Sequence, residues 1–213
     1  MAIRLKHVSV KPMLIVTALF FLIDCSDTIK EEGITPLSFI VDIAGIPNDT
    51  IVATSENLRL DNGYYYLNGK PFSGYIKEYY DNHQVKMMGS YFNGKQHGIT
   101  LTYYENGNLR DSRSYKENKS FGKHFGYWEN GNPKFEFYYL NDKREGPNKQ
   151  WYQSGQPYAF LHFKDDKEDG MQQAWRENGK IFINYESKDG FRYGLQKSNL
   201  CYTLEDEKFK TAK

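Results

Sequence analysis

The sequence of 213 residues predicts an all-β protein, built as an elongated antiparallel meander of 24-residue β-hairpin repeats in a single, solenoid-type sheet. Three observations support this fold class. Glycines recur at a fixed spacing in two columns, turn sequences separate short strand-like segments, and apolar residues alternate within those segments. Aromatic residues make up 16% of the chain, and the formal net charge is only +1. This charge balance excludes a protein built to neutralise many nucleic-acid phosphates.

The repeat is defined by its glycines. A second column of glycines lies inside the units, at Gly107, Gly131, Gly155 and Gly179, and His83 takes the corresponding place in the first unit. Positions within a unit are numbered below from the leading glycine, which is position 1. The leading glycines, each 24 residues after the last, are Gly74, Gly98, Gly122, Gly146, Gly170 and Gly194. Two independent columns at one spacing indicate five full units, which begin at residue 74 and end at residue 193.

Two turns are predicted in every unit. The first lies at positions 8 to 10, as in Glu129-Asn130-Gly131, and an Asn-Gly pair predicts a hairpin turn in which both residues adopt positive φ. The second lies at positions 20 to 22, as in Asn141-Asp142-Lys143. Two turns in 24 residues leave two strands of about six residues each, close to the usual strand length.

The second strand of each unit alternates between apolar and polar residues. Phe135, Phe137 and Tyr139 stand at positions 14, 16 and 18 of the third unit, and polar residues mostly separate such positions. A period of two with one apolar face predicts a half-buried strand. The second unit departs from the pattern, because Asp111 and Arg113 occupy its predicted core face.

These motifs resemble the MORN-variant repeat over about residues 63–194. That repeat has a leading Gly, Tyr or Trp at position 6, an aromatic residue at position 7, Glu-Asn-Gly at the first turn and Asn/Asp-Gly-Lys at the second. The resemblance implies a hairpin array. Bacterial proteins with this repeat are commonly labelled YwqK-like antitoxins, which implies an antitoxin- or immunity-like role. Hairpin repeats rich in Tyr and Trp are also similar to choline- and glucan-binding cell-wall modules.

The two aromatic columns are the candidate binding residues, and alternation predicts that they face opposite ways. Position 6 is predicted to pack between strands, and its residues are Tyr79, Tyr103, Tyr127, Trp151 and Trp175. Position 7 is predicted to form an exposed ladder that binds a partner, and its residues are Tyr80, Tyr104, Trp128 and Tyr152. If position 7 packs instead, the binding face is expected at Lys86, Arg110, Lys134, Tyr158 and Phe182.

The sequence carries no nucleophile, phosphate-loop or zinc-protease motif. Its histidines do not have the spacing of metal ligands. They are His7, His83, His97, His124 and His162. The acidic run at residues 165–169 falls on a turn and favours a solvated loop over a weak Ca²⁺ site. We therefore predict a scaffold without enzymatic activity, cofactor or metal. Its expected partner is a protein, with a cell-wall or extracellular glycan as the alternative.

The N-terminal 24 residues predict an export signal, with a basic start followed by a short apolar run. Leu22 and Cys25 have the spacing of a bacterial lipoprotein signal, although Asp24 replaces its usual small residue. Lipidation of Cys25 would anchor the protein to a bacterial membrane, at the outer membrane or the cell surface. Ordinary export and an uncleaved anchor are the alternatives, and a bridge from Cys25 to Cys201 is expected only if lipidation fails.

The predicted organisation has four parts. Residues 1–24 form the signal, and residues 25–57 form a tether and an N-terminal cap. The repeat array covers residues 58–198, and residues 199–213 form a C-terminal cap and a polar tail.

Overall fold

The computed structural model describes residues 39–195. Strands make up 62% of the described residues, and none of these residues belongs to an α-helix. The predicted signal sequence, Cys25, His7 and Cys201 lie outside the described residues. The strands are β1 Thr50–Val52, β2 Leu58–Asp61, β3 Tyr64–Leu67, β4 Lys70–Pro71, β5 Gly74–Tyr79, β6 Val85–Phe92, β7 Lys95–Tyr103, β8 Leu109–Lys116, β9 Lys119–Ser120, β10 Gly122–Tyr127, β11 Pro133–Leu140, β12 Lys143–Arg144, β13 Gly146–Trp151, β14 Pro157–Lys164, β15 Lys167–Glu168, β16 Gly170–Trp175, β17 Ile181–Lys188 and β18 Phe191–Leu195.

Most strands form one long sheet of 15 strands, in which consecutive hairpins pair antiparallel from β5 to β18. This arrangement confirms the predicted all-β hairpin array. Two details differ from a single antiparallel sheet. Strand β1 joins the outer edge of β5 in parallel, and β2, β3 and β4 form a separate sheet of three strands. Because β1 covers the edge of the first unit, the edge of β5 is not free to pair with another chain.

The most compact apolar cluster lies at the N-terminal end of the array. Phe72, Ile76 and Tyr91 are buried together, and residues of β1, β2 and β3 pack against them. The Tyr65 ring of the small sheet meets the Tyr91 ring edge-on at 4.8 Å between centroids. The small sheet therefore packs onto the first unit through apolar contacts.

The first turn of each unit differs from the predicted turn with two positive φ angles. Only position 10 adopts positive φ, as at Gly131 with φ 88° and His83 with φ 64°. In the third unit, the Gly131 N–H donates to the Trp128 carbonyl, and the Trp128 N–H donates to the Asn132 carbonyl. These bonds and the positive φ of Gly131 define a type I turn followed by a glycine bulge. The pairing register also shifts between Gly126 and Tyr127, where Lys134 is the extra residue of the second strand. The Asn130 side chain accepts a hydrogen bond from the Asn132 N–H, so asparagine stabilises this turn without positive φ.

The second turn of each unit is the two-residue type in which both residues adopt positive φ. Asn141 and Asp142 have φ angles of 51° and 69°, and Asp165 and Asp166 have φ angles of 50° and 66°. Asn and Asp tolerate this conformation better than other residues with a side chain. The composition of the second turn is therefore set by backbone geometry.

The leading glycines all adopt positive φ, and in the first three units they also allow close approach of neighbouring atoms. At Gly98, φ is 95° and a Cβ atom would lie 2.5 Å from Ser90 Oγ and 2.9 Å from a methyl group of Ile43. No side chain fits in this space. The 24-residue glycine column thus marks the place in each unit where the first strand bends against its neighbours.

We expect Gly131→Val to lower the free energy of unfolding by about 1–3 kcal/mol, because a β-branched residue would be strained at φ 88°. A Cβ atom added at Gly131 would have no other atom within 4 Å, so the cost comes from the backbone alone. Urea unfolding measures the change. Glu129→Ala in the same turn is the control and should shift stability by less than about 0.5 kcal/mol. Equal losses in the two variants would contradict the turn assignment.

Candidate interaction surface

The strand pairing divides the side chains of the array between two faces. In the third unit, His124 pairs with Phe137, and Phe125 on the opposite face pairs with Glu136. We call the face with positions 1, 3, 5, 14, 16 and 18 the packed face. The face with positions 2, 4, 6, 15, 17 and 19 is called the outer face. Paired residues share a face, so this assignment extends through every hairpin.

The packed face buries one side chain per unit at position 3. Every member of this column is at most 8% exposed, although four of the five are polar. The members are Ile76, Thr100, His124, Asn148 and Gln172. The predicted apolar positions 14, 16 and 18 lie on the same face, as expected. The His124 ring lies between the rings of Tyr115 and Tyr139, at centroid distances of 5.5 and 4.7 Å.

In the irregular second unit, the two charged residues on the packed face, Asp111 and Arg113, form an ion pair. Asp111 is buried, and its carboxylate oxygens contact Arg113 Nε at 3.2 Å and Arg110 Nε at 3.3 Å. The carboxylate thus has two guanidinium partners, which offset the cost of burying a charge. The Arg113 guanidinium also lies 5.9 Å from the centroid of Phe135 in the next unit.

The aromatic residues at position 7 join neighbouring units. The Tyr104 hydroxyl donates to the Tyr127 carbonyl at 2.8 Å, and the Trp128 indole N–H donates to the Trp151 carbonyl at 3.1 Å. Tyr80 and Tyr152 repeat this bond at 2.8 and 3.0 Å. In every case the acceptor is the position 6 carbonyl of the following unit.

This geometry revises the expectation of a freely exposed ladder at position 7. All four aromatic side chains are half-buried, and their only polar atoms are engaged. Residues at position 13 cover them from the side. Lys134 Nζ lies 4.4 Å from the centroid of the Trp128 ring, and the rings of Tyr152 and Tyr158 meet edge-on at 5.1 Å. Removal of the Trp128 side chain is therefore expected to lower the melting temperature.

The position 6 aromatics lie on the outer face instead of the packed one. They join other apolar side chains there: the Phe160 ring lies 5.6 Å from Trp151 and 5.2 Å from Trp175, edge-on to both. Tyr79 at the start of the column is 41% exposed. Among the described residues, no hydrogen bond engages the Trp151 or Trp175 indole N–H. The other four rings of this column are half-buried, like those at position 7, but among residues 39–195 none of them donates a hydrogen bond to a neighbouring unit as the position 7 residues do.

The second turns form a row of ion pairs between units. Lys143 contacts Asp165, and Arg144 contacts Asp166, each at 2.5 Å. Hydrogen bonds from these cations hold the pKa values of both carboxyls below their ordinary value. Glu168 contacts Arg192 and accepts a hydrogen bond from the Tyr185 hydroxyl. The acidic run thus serves contacts between hairpins, and no group of three or more potential metal ligands occurs among residues 39–195.

The N-terminal segment crosses the outer face of the first three units. The Phe39 ring lies 6.0 Å from both Phe121 and Tyr138, and Ile43 contacts the backbone at Gly98. The Asp42 carbonyl accepts a hydrogen bond from His97 Nε2 at 2.9 Å. The outer face therefore already receives a largely apolar segment of irregular backbone, which turns between Ile43 and Ile46. Nothing among the described residues forms a helix that is both long and apolar enough to cross a membrane.

This fold and surface define a repeat protein made of MORN-like hairpins. Comparison with known families agrees: residues 96–117 match the MORN repeat variant. The matched stretch covers most of the second unit, including its buried Asp111. No curated protein matches the chain in sequence. The family is generally a repeat scaffold without enzymatic activity, often one that binds membranes or proteins.

His124 makes the packed face sensitive to pH. Its Nε2 donates to the Ser114 carbonyl at 2.7 Å, and burial lowers the pKa of the imidazole from its ordinary value of 6.5. The unfolded chain therefore binds a proton near pH 6.5 that the folded protein takes up only at lower pH. Stability is full above pH 6.5 and is lost as the pH falls toward the pKa of the folded state.

We expect the urea midpoint to fall between pH 7.5 and 5.5, by up to about 1.4 kcal/mol in stability per pH unit from this group. His124→Gln should flatten the profile, because Gln172 fills the corresponding buried place in the fifth unit. Asn148→Gln, at the same buried position of the fourth unit, is the control and should leave the slope unchanged, because it alters the packed face without changing a titratable group. An unaltered slope in His124→Gln would show that other groups cause the dependence.

Proposed function

We propose that the protein is a scaffold without catalytic activity, which binds a protein partner along the aromatic column of its outer face. One observation carries the proposal: position 7 is used to join units, whereas position 6 presents aromatic rings on the other face. Exposed aromatic groups are enriched in protein interfaces, where Trp and Tyr supply most of the binding energy. An antitoxin- or immunity-like role is the finer form of this proposal and rests on the sequence resemblance.

The fourth and fifth units offer the best anchor on this column. Trp151 and Trp175 flank Phe160 edge-on, which holds three rings in one fixed group. Ile181, which pairs with Trp175, extends the group and is 38% exposed. A rigid aromatic group loses little conformational entropy on binding, so its contact area converts well into affinity.

Glycan binding is the second candidate, and the polar neighbours of the same rings favour it. Gln173 Nε2 donates to Asn184 Oδ1 at 3.0 Å beside Trp175. Planar amides next to aromatic rings suit a sugar, because rings stack on its apolar faces and amides bond its hydroxyls. Protein binding and glycan binding would use the same surface, so only the identity of the ligand distinguishes them.

The test compares two tryptophans in adjacent units that lie on opposite faces. Full-length protein is cross-linked in its own cell envelope, and recovered protein partners and retention on cell-wall polysaccharide are both measured. Trp151→Ala should reduce partner recovery about tenfold or more, as expected of an interface anchor. Trp128→Ala should lower the melting temperature by several degrees through the lost bond to the Trp151 carbonyl, and keep binding below that temperature.

Equal partner recovery from wild type and Trp151→Ala would contradict the proposed face. Retention on polysaccharide without recovery of any protein partner would show that the ligand is a glycan and not a protein. Loss of binding in Trp128→Ala at a temperature where it remains folded would return the binding role to position 7.

We also propose that Cys25 carries a lipid that tethers the array to a bacterial membrane, supported by the sequence of residues 1–25. Cys25→Ala should move the protein from the detergent phase to the soluble fraction in a phase-partition experiment. Cys201→Ala is the matched control and should remain in the detergent phase. Unchanged partitioning of Cys25→Ala would favour an uncleaved anchor.

A further inference from the structure

We infer that the outer face binds an extended, acidic segment of the partner, with apolar side chains at every third residue. This inference rests on the proposed function and specifies the chemistry of the partner. Three features of the outer face lead to it: its charge, the spacing of its aromatic column, and the segment of this chain that already lies on it.

The outer face is strongly cationic although the chain is nearly neutral. Over the five units, its positions contain six lysines and two glutamates. The glutamates are Glu136, which contacts Lys123 Nζ at 2.8 Å, and Glu186. The lysines are Lys77, Lys116, Lys123, Lys149, Lys164 and Lys188.

The compensating carboxylates lie at the ends of the hairpins. Asp81, Glu105, Glu129 and Glu177 are exposed in the first turns. The second turns hold carboxylates that pair with cations of neighbouring units, as Asp165 does with Lys143. The first-turn ends also carry cations, such as Lys86, Arg110 and Lys134, so the net positive charge of the five units lies mainly on the outer face. A partner segment that crosses the middle of the face meets lysines, so charge complementarity selects an acidic segment.

The spacing of the aromatic column fits an extended peptide. One unit contributes two adjacent strands, which are about 4.8 Å apart, so equivalent rings repeat about every 10 Å along the array. In the polyproline II conformation an extended chain advances about 3.1 Å per residue with three residues per turn, so one turn covers about one unit and places every third side chain on the same side. Apolar side chains at every third residue would meet successive position 6 rings. The two residues between them lie near lysines such as Lys149, whose Nζ is 5.9 Å from the Phe160 centroid.

The chain's own N-terminal segment shows that the face accepts such a path. Phe39 contacts the backbone at Gly122, and Ile43 contacts Gly98 in the preceding unit. Four residues thus span one 24-residue unit, close to the spacing expected for an extended peptide. The segment lies beside positions 17 and 24, near Tyr138 and Phe121, and leaves the position 6 column open.

The experiment uses full-length protein and three fluorescent probes in anisotropy titrations. The first probe is a 15-residue peptide with Leu at every third position and Glu elsewhere, and the second replaces each Glu with Gln. The third is a single-stranded oligonucleotide of 15 thymidines, because bases also stack on aromatic rings. The Glu peptide should bind wild type at least about tenfold more tightly than the Gln peptide, with a preference that weakens as salt rises.

Lys149→Glu should weaken binding of the Glu peptide by about tenfold or more, because it reverses a charge next to the aromatic group. Lys180→Glu makes the same change in a first turn and should alter affinity by less than about twofold. A Glu peptide with Leu at every second residue should bind more weakly than the every-third design, and equal binding would overturn the spacing argument.

Equal affinity of the Glu and Gln peptides, or full binding by Lys149→Glu, would overturn the acidic partner. If Trp151→Ala still abolished binding in that case, the proposed aromatic binding face would be supported, and only the preference for an acidic partner would be rejected. Tighter binding of the oligonucleotide than of the Glu peptide would replace the acidic peptide with a nucleic acid. If neither peptide bound wild type, this inference would fall, and the cross-linking comparison of Trp151→Ala and Trp128→Ala would decide the proposed function independently.

Discussion

The contact between one hairpin and the next is the interaction on which this structure depends. A unit of two short strands cannot bury its own apolar face, so stability comes from stacking on neighbours. Backbone pairing between units is common to any sheet. The distinctive addition is the position 7 side chain, whose Tyr hydroxyl or Trp indole N–H reaches the following unit's position 6 carbonyl, as Tyr104 does with Tyr127. The same bond in four successive units fixes the register of the array.

This bond also explains why the aromatic residues at positions 6 and 7 make different contacts. An aromatic residue that must satisfy a neighbour's carbonyl lies against the sheet and is half-buried. The adjacent position 6 residue lies on the opposite face and does not donate such a hydrogen bond. Trp151 and Trp175 pack edge-on against Phe160 instead. Under the proposed function, stability and recognition depend on neighbouring residues of one motif. An array built in this way can change its outer face from unit to unit without losing the connection between hairpins.

The polar character of the packed face makes the connections between units more important. Thr100, His124, Asn148 and Gln172 contribute less apolar burial than aliphatic residues would. Aromatic rings at positions 16 and 18 and paired charges such as Asp111 with Arg113 compensate for part of that loss. A core of this kind ties stability to pH through His124 and to ionic contacts at the second turns.

The sequence by itself determined the repeat, the hairpins and the alternation of the strands, because spacing and turn composition are local properties of the chain. It placed Asp111 and Arg113 on the core face correctly. It did not determine which aromatic column faces outward. The extra residue Lys134 shifts the pairing of the two strands, and the carbonyl that accepts from the Trp128 indole N–H lies 23 residues away. Both depend on how neighbouring hairpins meet, and only the tertiary structure decides that.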